Sequence, residues 1–375
     1  MSDTAESFVR PDWLDPDPWC ERARCATSAD VMAALRAETR HEAELAALLS
    51  PAAAAHLEAL AQTAQALTRR HFGRTITLYA PLYLSNFCGN GCTYCGFASD
   101  RRITRRRLEM PEVESEMAKL AENDIEEILL LTGERTPRAD FDYVLQCVKL
   151  AATRFAVVTV EAFPMSAEEY GRLAAAGCTG VTLYQETYEP TIYDRLHRWG
   201  PKRDYAGRLA TPAAALQAGM RNVGLGALLG LADPLWDVVA LYQHARLLQK
   251  RFWRSGISLS FPRVRPEQGG FKAPHAVSDT QLAQIIFALR IMLPDAPLVL
   301  STREGVRFRD GMAGVGISKM SVASRTTVGG YAHAAEGDSG QFAVNDDRDV
   351  ETFTAMLRGK NLEPVFKNWD ATYRD

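Results

Sequence analysis

Short apolar segments alternate with amphipathic segments along the middle of the chain. Apolar runs rich in β-branched residues predict eight strands, at 75–84, 127–132, 155–160, 180–184, 222–229, 257–261, 298–301 and 315–322. Helical patterns separate them at 111–123, 138–152, 166–176, 204–219, 235–253 and 278–291. Because alternating strands and helices pair in parallel through right-handed crossovers, eight repeats predict an α/β protein with a closed (β/α)8 TIM-type barrel.

The sequence on either side of this pattern predicts additions to the barrel. Ser50 and Pro51 are suited to begin a helix, and Gly73 is suited to end it. The tail follows the last predicted strand and is expected to pack outside the barrel. The chain therefore divides into an N-terminal helical extension, the barrel and a C-terminal accessory segment, at 1–74, 75–329 and 330–375.

Composition narrows the functional classes. The 375 residues carry a net charge of −3 with both signs interspersed, which gives no electrostatic reason to expect nucleic acid or a membrane surface as a partner. No apolar run reaches the length of a membrane span, and the polar segment 1–10 does not resemble a secretion signal. The balanced charge makes a small-molecule substrate the default expectation. Seven cysteines in a chain of this length predict a reducing, cytoplasmic location.

Three thiols lie on one loop directly after the first predicted strand, at Cys88, Cys92 and Cys95. Thiolates are soft ligands suited to iron-sulfur clusters, and a cubane cluster needs one ligand per iron. Three cysteines therefore hold three irons and leave the fourth open. A ferredoxin would normally supply a fourth cysteine and a structural zinc site a fourth Cys or His, but the loop contains neither. The remaining alternative is a set of thiols that are close in sequence by chance.

The other cysteines give weaker signals. Cys147 lies on an amphipathic pattern, where a thiol is most often a small core residue. The roles of Cys20 and Cys25 stay open, because no His or Cys pair lies nearby.

Polar residues follow nearly every predicted strand. A barrel of this type builds its active site from the loops at the C-terminal ends of its strands. The strand ends carry Thr132-Gly-Glu134, Glu161, Gln185-Glu186, the glycine-rich run 224–230, Arg263, and Ser301-Thr-Arg303-Glu304. One such residue is often only a solvated loop end, but the set predicts one catalytic face.

These residues also resemble a known family. Cys-x-x-x-Cys-x-Tyr-Cys after the first strand, with Thr-Gly-Glu after the second, is similar to radical S-adenosylmethionine (SAM) enzymes. The closer resemblance is to the tyrosine lyases of thiamine thiazole biosynthesis, the ThiH or 2-iminoacetate synthase family. It extends from about residue 45 to Asp347 and Trp369-Asp370, and the runs that carry it are 81–86, 132–134, 184–188, 224–230, 260–263 and 300–304.

The resemblance implies cofactors and the residues that bind them. Cys88, Cys92 and Cys95 would hold a 4Fe-4S cluster, and the methionine part of SAM would chelate the open iron. Tyr94 would lie near the adenine, and Glu134 would accept from the SAM ammonium group. Ribose, ring and nearby polar groups would be contacted by Glu161, Gln185, Glu186, Gly224 and Gly226.

A free amino-acid substrate needs a partner for its carboxylate, and the bidentate fork of arginine suits that role. Arg303 is the first candidate and Arg263 the second, with an ion pair to Glu304 as the structural alternative for both. Ser301 and Tyr188 are further candidates for substrate contact.

The family activity would be cleavage of the Cα–Cβ bond of L-tyrosine to 2-iminoacetate (dehydroglycine) and p-cresol. Thiazole synthase (ThiG) would take the product, and a flavodoxin-type or ferredoxin-type protein would donate the electron. A tryptophan-type lyase and a noncatalytic iron-sulfur or zinc scaffold are the alternatives. A hydrogenase-maturation tyrosine lyase is disfavoured, because such enzymes carry an additional C-terminal cysteine motif and no cysteine follows Cys178.

The basic run at 101–107 has two interpretations from sequence, a nucleic-acid contact or a solvated, mobile segment beside the acidic run 109–116. The second is favoured. In that case Arg105, Arg106 and Arg107 are a candidate docking surface for thiazole synthase.

Overall fold

The structure, a computed structural model, describes residues 10–267, 269–333 and 340–367. The polar segment 1–9 and the motif residues Trp369-Asp370 lie outside the described residues. Eight parallel strands close into a barrel, which confirms the predicted fold. They are β1 (Thr75–Tyr83), β2 (Glu127–Leu131), β3 (Val157–Glu161), β4 (Gly180–Thr182), β5 (Asn222–Gly226), β6 (Gly256–Ser260), β7 (Leu298–Leu300) and β8 (Lys319–Ser321).

Closure of the barrel depends on β1. Its C-terminal half pairs with β2, with Ala80 opposite Ile128, and its middle pairs with β8, with Thr77 opposite Lys319. The strand β2 is buried along its whole length, which explains why its sequence is almost entirely apolar. Lys319 and Glu127 form an ion pair across β1 at the N-terminal end of the barrel.

Helices alternate with the strands as the sequence pattern predicts. Their first turns carry suitable caps: Asp140 accepts from the backbone N–H of Tyr143, and Ser278 accepts from that of Gln281. The helices of the barrel are α5 (Met110–Ala121), α6 (Phe141–Ala151), α7 (Ala167–Ala175), α8 (Pro190–Leu196), α9 (Tyr205–Gln217), α10 (Pro234–Arg251), α11 (Asp279–Met292) and α12 (Val306–Met312). The short helices α8 and α12 were not predicted, since seven residues give little periodicity.

The N-terminal extension contains α1 (Asp17–Cys25), α2 (Ser28–Arg36), α3 (Glu42–Leu48) and α4 (Leu57–Phe72). Ser50 caps a 3-10 helix, Pro51–His56, that leads into α4, and Gly73 ends α4 with a φ of 62°. The extension is tied to the barrel by Gln284 of α11, whose side-chain amide donates to the carbonyl groups of Leu48 and Ser50 at 3.0 and 2.9 Å.

The tail contributes more to the barrel than the sequence predicted. Helix α13 (Val350–Gly359) is followed by β9 (Glu363–Val365), which pairs with the first residues of β1. Residues 340–343 cross the C-terminal end of the barrel, and Gln341 and Phe342 line its mouth. These residues of the tail therefore pack over the mouth of the barrel. The domain boundaries at 74 and 329 stay a prediction.

Within the described part of the chain, no helix is both long enough and apolar enough to cross a membrane.

Candidate active site

The cysteine loop connects β1 to α5 at the C-terminal end of the barrel. Cys92 is buried, and Cys88 and Cys95 are partly buried. Burial, followed by the charges of neighbouring groups that include the other thiols, raises the pKa of Cys92 and Cys95. Among the described residues, no three His, Cys, Asp or Glu side chains converge closely enough to hold one metal ion.

The end of β2 closes against this loop because residue 133 is glycine. A Cβ atom at Gly133 would lie 2.4 Å from the Phe87 carbonyl oxygen and 2.8 Å from Cβ of Cys88, too close for any side chain. The next backbone N–H, that of Glu134, points to Sγ of Cys88 at 3.4 Å. The Thr-Gly-Glu motif thus packs directly on the first cysteine.

The basic run after the loop is not a solvated segment, so that interpretation is wrong for its last three arginines. The Arg105 guanidinium donates to the carbonyl groups of Asn86, Phe97 and Ala98 at 2.6, 2.8 and 2.5 Å. Arg106 pairs with Glu112, and Arg107 pairs with Glu109. These side chains hold the cysteine loop and its flank in place. A docking surface made of Arg105–Arg107 is therefore not supported.

A second segment, 196–200, pairs with the cysteine loop on its other side. The backbone N–H of Gly91 donates to the carbonyl of Trp199 at 3.0 Å, and that of Thr93 donates to the carbonyl of Leu196 at 3.0 Å. Cys92 lies opposite His197 in this short antiparallel bridge. The middle cysteine is thereby fixed by backbone bonds to the end of α8.

Tyr94, inside the cysteine motif, has a specific partner. Its hydroxyl lies 2.7 Å from Nε2 of His197, and both side chains are buried. Its ring meets that of Phe271 edge to face, with centroids 6.3 Å apart. His197 could not be predicted as this partner, because the contact joins residues far apart in the chain.

Glu134 and Glu186 are held differently. Glu134 accepts from the side-chain amide of Asn90 at 3.1 Å. Glu186 pairs with Lys202 at 2.5 Å and has a φ of 71°, a conformation that costs roughly 1–3 kcal/mol for a residue with a side chain. Strain of this kind concentrates at functional sites. Lys202 was not predicted from the sequence. It lines both the barrel mouth and a neighbouring surface cleft that contains Glu134.

The barrel mouth contains two adjoining cavities, each with about 60 Å³ of free volume. The outer cavity brings together five predicted site residues: Tyr94, Cys95, Glu161, Glu186 and Arg303. The inner cavity shares Glu161 and Arg303 with it and adds Ser301.

Arg303 dominates the shared wall of the two cavities. Its guanidinium stacks on the ring of Phe342, 3.3 Å from the centroid, and forms no ion pair with any described residue. Burial lowers its pKa, although the side chain stays cationic at neutral pH. Burial and the nearby Glu186 raise the pKa of Glu161 to about 7. The mouth therefore holds a free cation beside a carboxyl group that ionises near neutrality.

Three other predicted site residues make contacts within the protein, and their roles stay a prediction. Arg263 forms a bidentate ion pair with Glu304, so the structural alternative holds for this residue. Tyr188 is fully buried, with its hydroxyl 3.0 Å from Nδ1 of His244. Gln185 is buried with its amide 3.4 Å from the Tyr205 carbonyl. The guanidinium of Arg263 and the hydroxyl of Tyr188 are thus already engaged within the protein.

The two predicted glycines of β5, Gly224 and Gly226, have different surroundings. A Cβ atom at Gly226 would lie 2.4 Å from the ring of Tyr184, so this glycine admits a ring of the protein itself. Gly224 lines a cavity at the N-terminal half of the barrel, away from the cysteine loop. The ring that packs against the backbone of Gly226 is that of Tyr184.

Comparison with known proteins agrees with this geometry. Residues 82–245 match the Radical SAM superfamily, and residues 260–363 match the Biotin and Thiamin Synthesis associated domain. The 2-iminoacetate synthase of Escherichia coli (strain K12) is 41% identical over 360 residues, 96% of this chain and 95% of that protein. That of Salmonella typhimurium is 42% identical over 92% of both. The crystal structure of HydG, a maturase of the FeFe-hydrogenase, matches with a TM-score of 0.91 at 30% identity, covering 97% of this chain and 82% of that one.

The barrel, its three-cysteine loop and these matches define a radical SAM lyase. Membership of this class implies an iron-sulfur cluster and SAM as cofactors. Within the class, the chain belongs to the 2-iminoacetate synthase family.

Proposed function

We propose that this chain cleaves the Cα–Cβ bond of L-tyrosine, giving 2-iminoacetate and p-cresol for thiazole formation in thiamine biosynthesis. The observation that carries the proposal is that Cys95 and Arg303 line one cavity. A cation without an ionic partner at the barrel mouth suits an amino-acid carboxylate, and it lies beside the loop that would hold the cluster. The names of the relatives support tyrosine-lyase chemistry at this site.

The donor set fits a 4Fe-4S cluster held by Cys88, Cys92 and Cys95. The three thiols lie on one short loop, and neighbouring thiols raise the pKa of Cys92 and of Cys95, which suits a cluster with one iron per thiolate. Gly133 leaves room for the loop to close around the site, and Arg105 fixes its backbone. When bound, the cluster and SAM supply an oxidising carbon radical that removes a hydrogen atom from the substrate.

The carboxylates around the mouth suit the polar groups of SAM. Glu134 would accept from its ammonium group, and Glu161 and Glu186 would accept from ribose hydroxyl groups or the ammonium. Tyr94 offers a ring of fixed orientation for the adenine. Lys202 neutralises Glu186 and so limits the repulsion between the two carboxylates.

Arg303 would hold the tyrosine carboxylate, with Ser301 as a neighbouring hydroxyl group. Phe342 fixes the guanidinium plane from one side. Gln341 and Phe342 also cover the mouth, which excludes water while a reactive species is present. Arg303 follows a strand of the barrel, and Phe342 of the tail holds its side chain in place.

The product and the electron require protein partners. The imine is hydrolysed by water, so direct transfer to thiazole synthase is chemically favoured. A flavodoxin-type or ferredoxin-type protein would donate the electron. A cytoplasmic location stays a prediction.

The test is a product analysis under anaerobic conditions. Enzyme reconstituted with iron and sulfide is reduced with dithionite and incubated with SAM and either tyrosine or tryptophan. We expect p-cresol and 5′-deoxyadenosine with tyrosine, and no indole product with tryptophan. Cleavage of SAM without p-cresol would contradict the proposal, and a cluster spectrum unchanged by SAM would favour the noncatalytic scaffold.

The cluster assignment has its own test. Cys92→Ala should lose the iron-sulfur absorbance and turnover together, because one iron loses its thiolate. Cys25→Ser alters an exposed thiol outside the loop and is the matched control, which should keep the full iron content. Full cluster content in Cys92→Ala would contradict the assignment.

A further inference from the structure

Trp199 is one of three large hydrophobic side chains that are strongly exposed among the described residues, with 41% of its surface accessible. It lies directly on the cysteine loop. We infer that Trp199 and the arginines around it form the docking surface for an acidic one-electron carrier protein. This inference rests on the proposed function, because only a redox enzyme needs such a carrier.

The indole packs on the loop between the first two cysteines. A Cβ atom at Gly91 would lie 2.4 Å from Cδ2 and Cε2 of Trp199, so only glycine permits the contact. Nε1 of the indole donates to Oγ of Ser99 at 2.9 Å, on the far side of the loop. One face of the ring therefore touches the backbone between Cys88 and Cys92 while the remainder faces solvent.

Arg198 stacks over the ring of Trp199. Its guanidinium carbon lies 4.4 Å from the indole centroid, its Nε donates to the carbonyl of Gly91 at 3.0 Å, and it pairs with Asp100 at 2.6 Å. The exposed aromatic surface is thus preorganised. Tryptophan and arginine are the residues most enriched in the energetic centres of protein interfaces.

The surrounding charge selects the kind of partner. Segments 99–102 and 194–203 contain six arginine and lysine residues but two aspartates, although the whole chain has a net charge of −3. Lys202 is neutralised by Glu186 and Arg101 by Glu267, which still leaves positive charge in excess. Arg102, Arg195, Arg198 and Arg203 are exposed, and of these Arg198 pairs with Asp100 and Arg203 with Asp194, so the excess lies at Arg102 and Arg195. A negatively charged carrier is therefore attracted to this surface.

The position also suits electron transfer. Cys92 is only 4% exposed, so a carrier cannot touch its sulfur directly. The loop is covered at this point by little more than Gly89, which is exposed, and the indole. A partner seated on Trp199 reaches the cluster ligands through a thin layer of protein, and a small interface is typical of such transient redox pairs.

The experiment compares two reductants for the reconstituted holoenzyme. The rate of cluster reduction is followed by absorbance, once with reduced flavodoxin, which is acidic, and once with dithionite. Trp199→Ala should slow reduction by flavodoxin roughly tenfold or more and leave reduction by dithionite unchanged. Trp253→Ala removes an even more exposed tryptophan, 74% accessible, at the opposite end of the barrel and should change neither rate.

A charge-reversal variant keeps the test decisive if Trp199→Ala disturbs the cluster. Arg102→Glu with Arg195→Glu should slow flavodoxin reduction and abolish its decrease with rising salt, because both side chains are exposed and attract the carrier electrostatically. A flavodoxin rate within twofold of wild type in this variant would overturn the inference. So would loss of thiazole synthase binding in Trp199→Ala with unchanged flavodoxin reduction, which would assign the surface to that partner.

The dithionite arm separates this inference from the proposed function. Dithionite-driven formation of p-cresol reports the lyase activity alone, whereas the ratio of the two reduction rates reports docking. If no p-cresol forms with dithionite but Trp199→Ala still slows reduction by flavodoxin alone, the proposed function is contradicted and the docking surface is retained.

Discussion

The hydroxyl group of Tyr94 donates a hydrogen bond to Nε2 of His197, at 2.7 Å. The direction follows from the other ring nitrogen, because Nδ1 lies 2.7 Å from the Tyr193 carbonyl and must carry the hydrogen. Burial, helped by the charge of Lys202, lowers the pKa of His197 to about 2, so the imidazole is neutral at working pH. Tyr94 is therefore anchored by a fixed acceptor.

Tyr94→Phe should weaken SAM binding about two- to tenfold, since one hydrogen bond contributes roughly 0.5–1.5 kcal/mol to holding the ring in place. Isothermal titration of the reconstituted enzyme measures this change. His197→Phe removes the same bond from the other side, and the double variant should be no weaker than the worse single one. Fully additive losses would show that the two residues act independently.

Arg303→Lys should raise the KM for tyrosine at least tenfold and leave SAM affinity unchanged. Lysine keeps the charge but loses the bidentate fork and the stacking on Phe342. Arg263→Lys, in the ion pair with Glu304, is the control for a general loss of stability. A KM that changes in Arg263→Lys but not in Arg303→Lys would assign the substrate carboxylate to the other arginine.

SAM should bind to the form of the enzyme in which Glu161 is ionised. Its pKa of about 7 means that the carboxyl group is largely protonated at pH 6, so a proton must leave before it can accept from the cofactor. SAM affinity should therefore rise between pH 6 and pH 8. Titrations in buffers of different ionisation enthalpy measure the released proton. Release that persists in Glu161→Gln would have another source.

His244 should make the fold sensitive to acid. Burial lowers its pKa to about 3, below the unfolded value of about 6.5. The unfolded state binds the extra proton, so this contribution to stability is complete above pH 6.5 and is lost as the pH falls toward 3. The loss is about 1.4 kcal/mol per pH unit within that window.

The comparison with His244→Phe isolates this effect, because Asp237, with a pKa raised to about 7 by burial, acts in the opposite direction. The free energy of unfolding of wild type relative to the variant should decrease from pH 6 to pH 5. A constant difference across this range would exclude His244 as the source.

Much of the fold follows from local sequence. The run 128–131 is apolar because β2 is buried along its length, and Gly73 ends α4 where its conformation is required. Strand β9 was missed because three residues carry no usable pattern, and its partner β1 lies almost at the other end of the described chain.

The part of the site that could be predicted consists of reactive residues at the ends of barrel strands. Cys95, Glu161 and Arg303 meet at the mouth because each follows a strand of the same barrel. Arg105 was misinterpreted because a run of arginines is usually solvated, and only the folded loop presents the three carbonyl groups that its fork binds. Contacts between distant segments, such as Trp199 on Gly91, leave no periodic signal.

The pairing of β1 has a consequence for synthesis on the ribosome. One edge of β1 finds β2 soon after it is made, but the other edge waits for β8, which is encoded near the end of the described chain. An unpaired strand edge is a template for aggregation. Nascent chains therefore carry the cysteine loop beside an open edge for most of translation, and chaperones that shield such edges would govern how much enzyme is recovered.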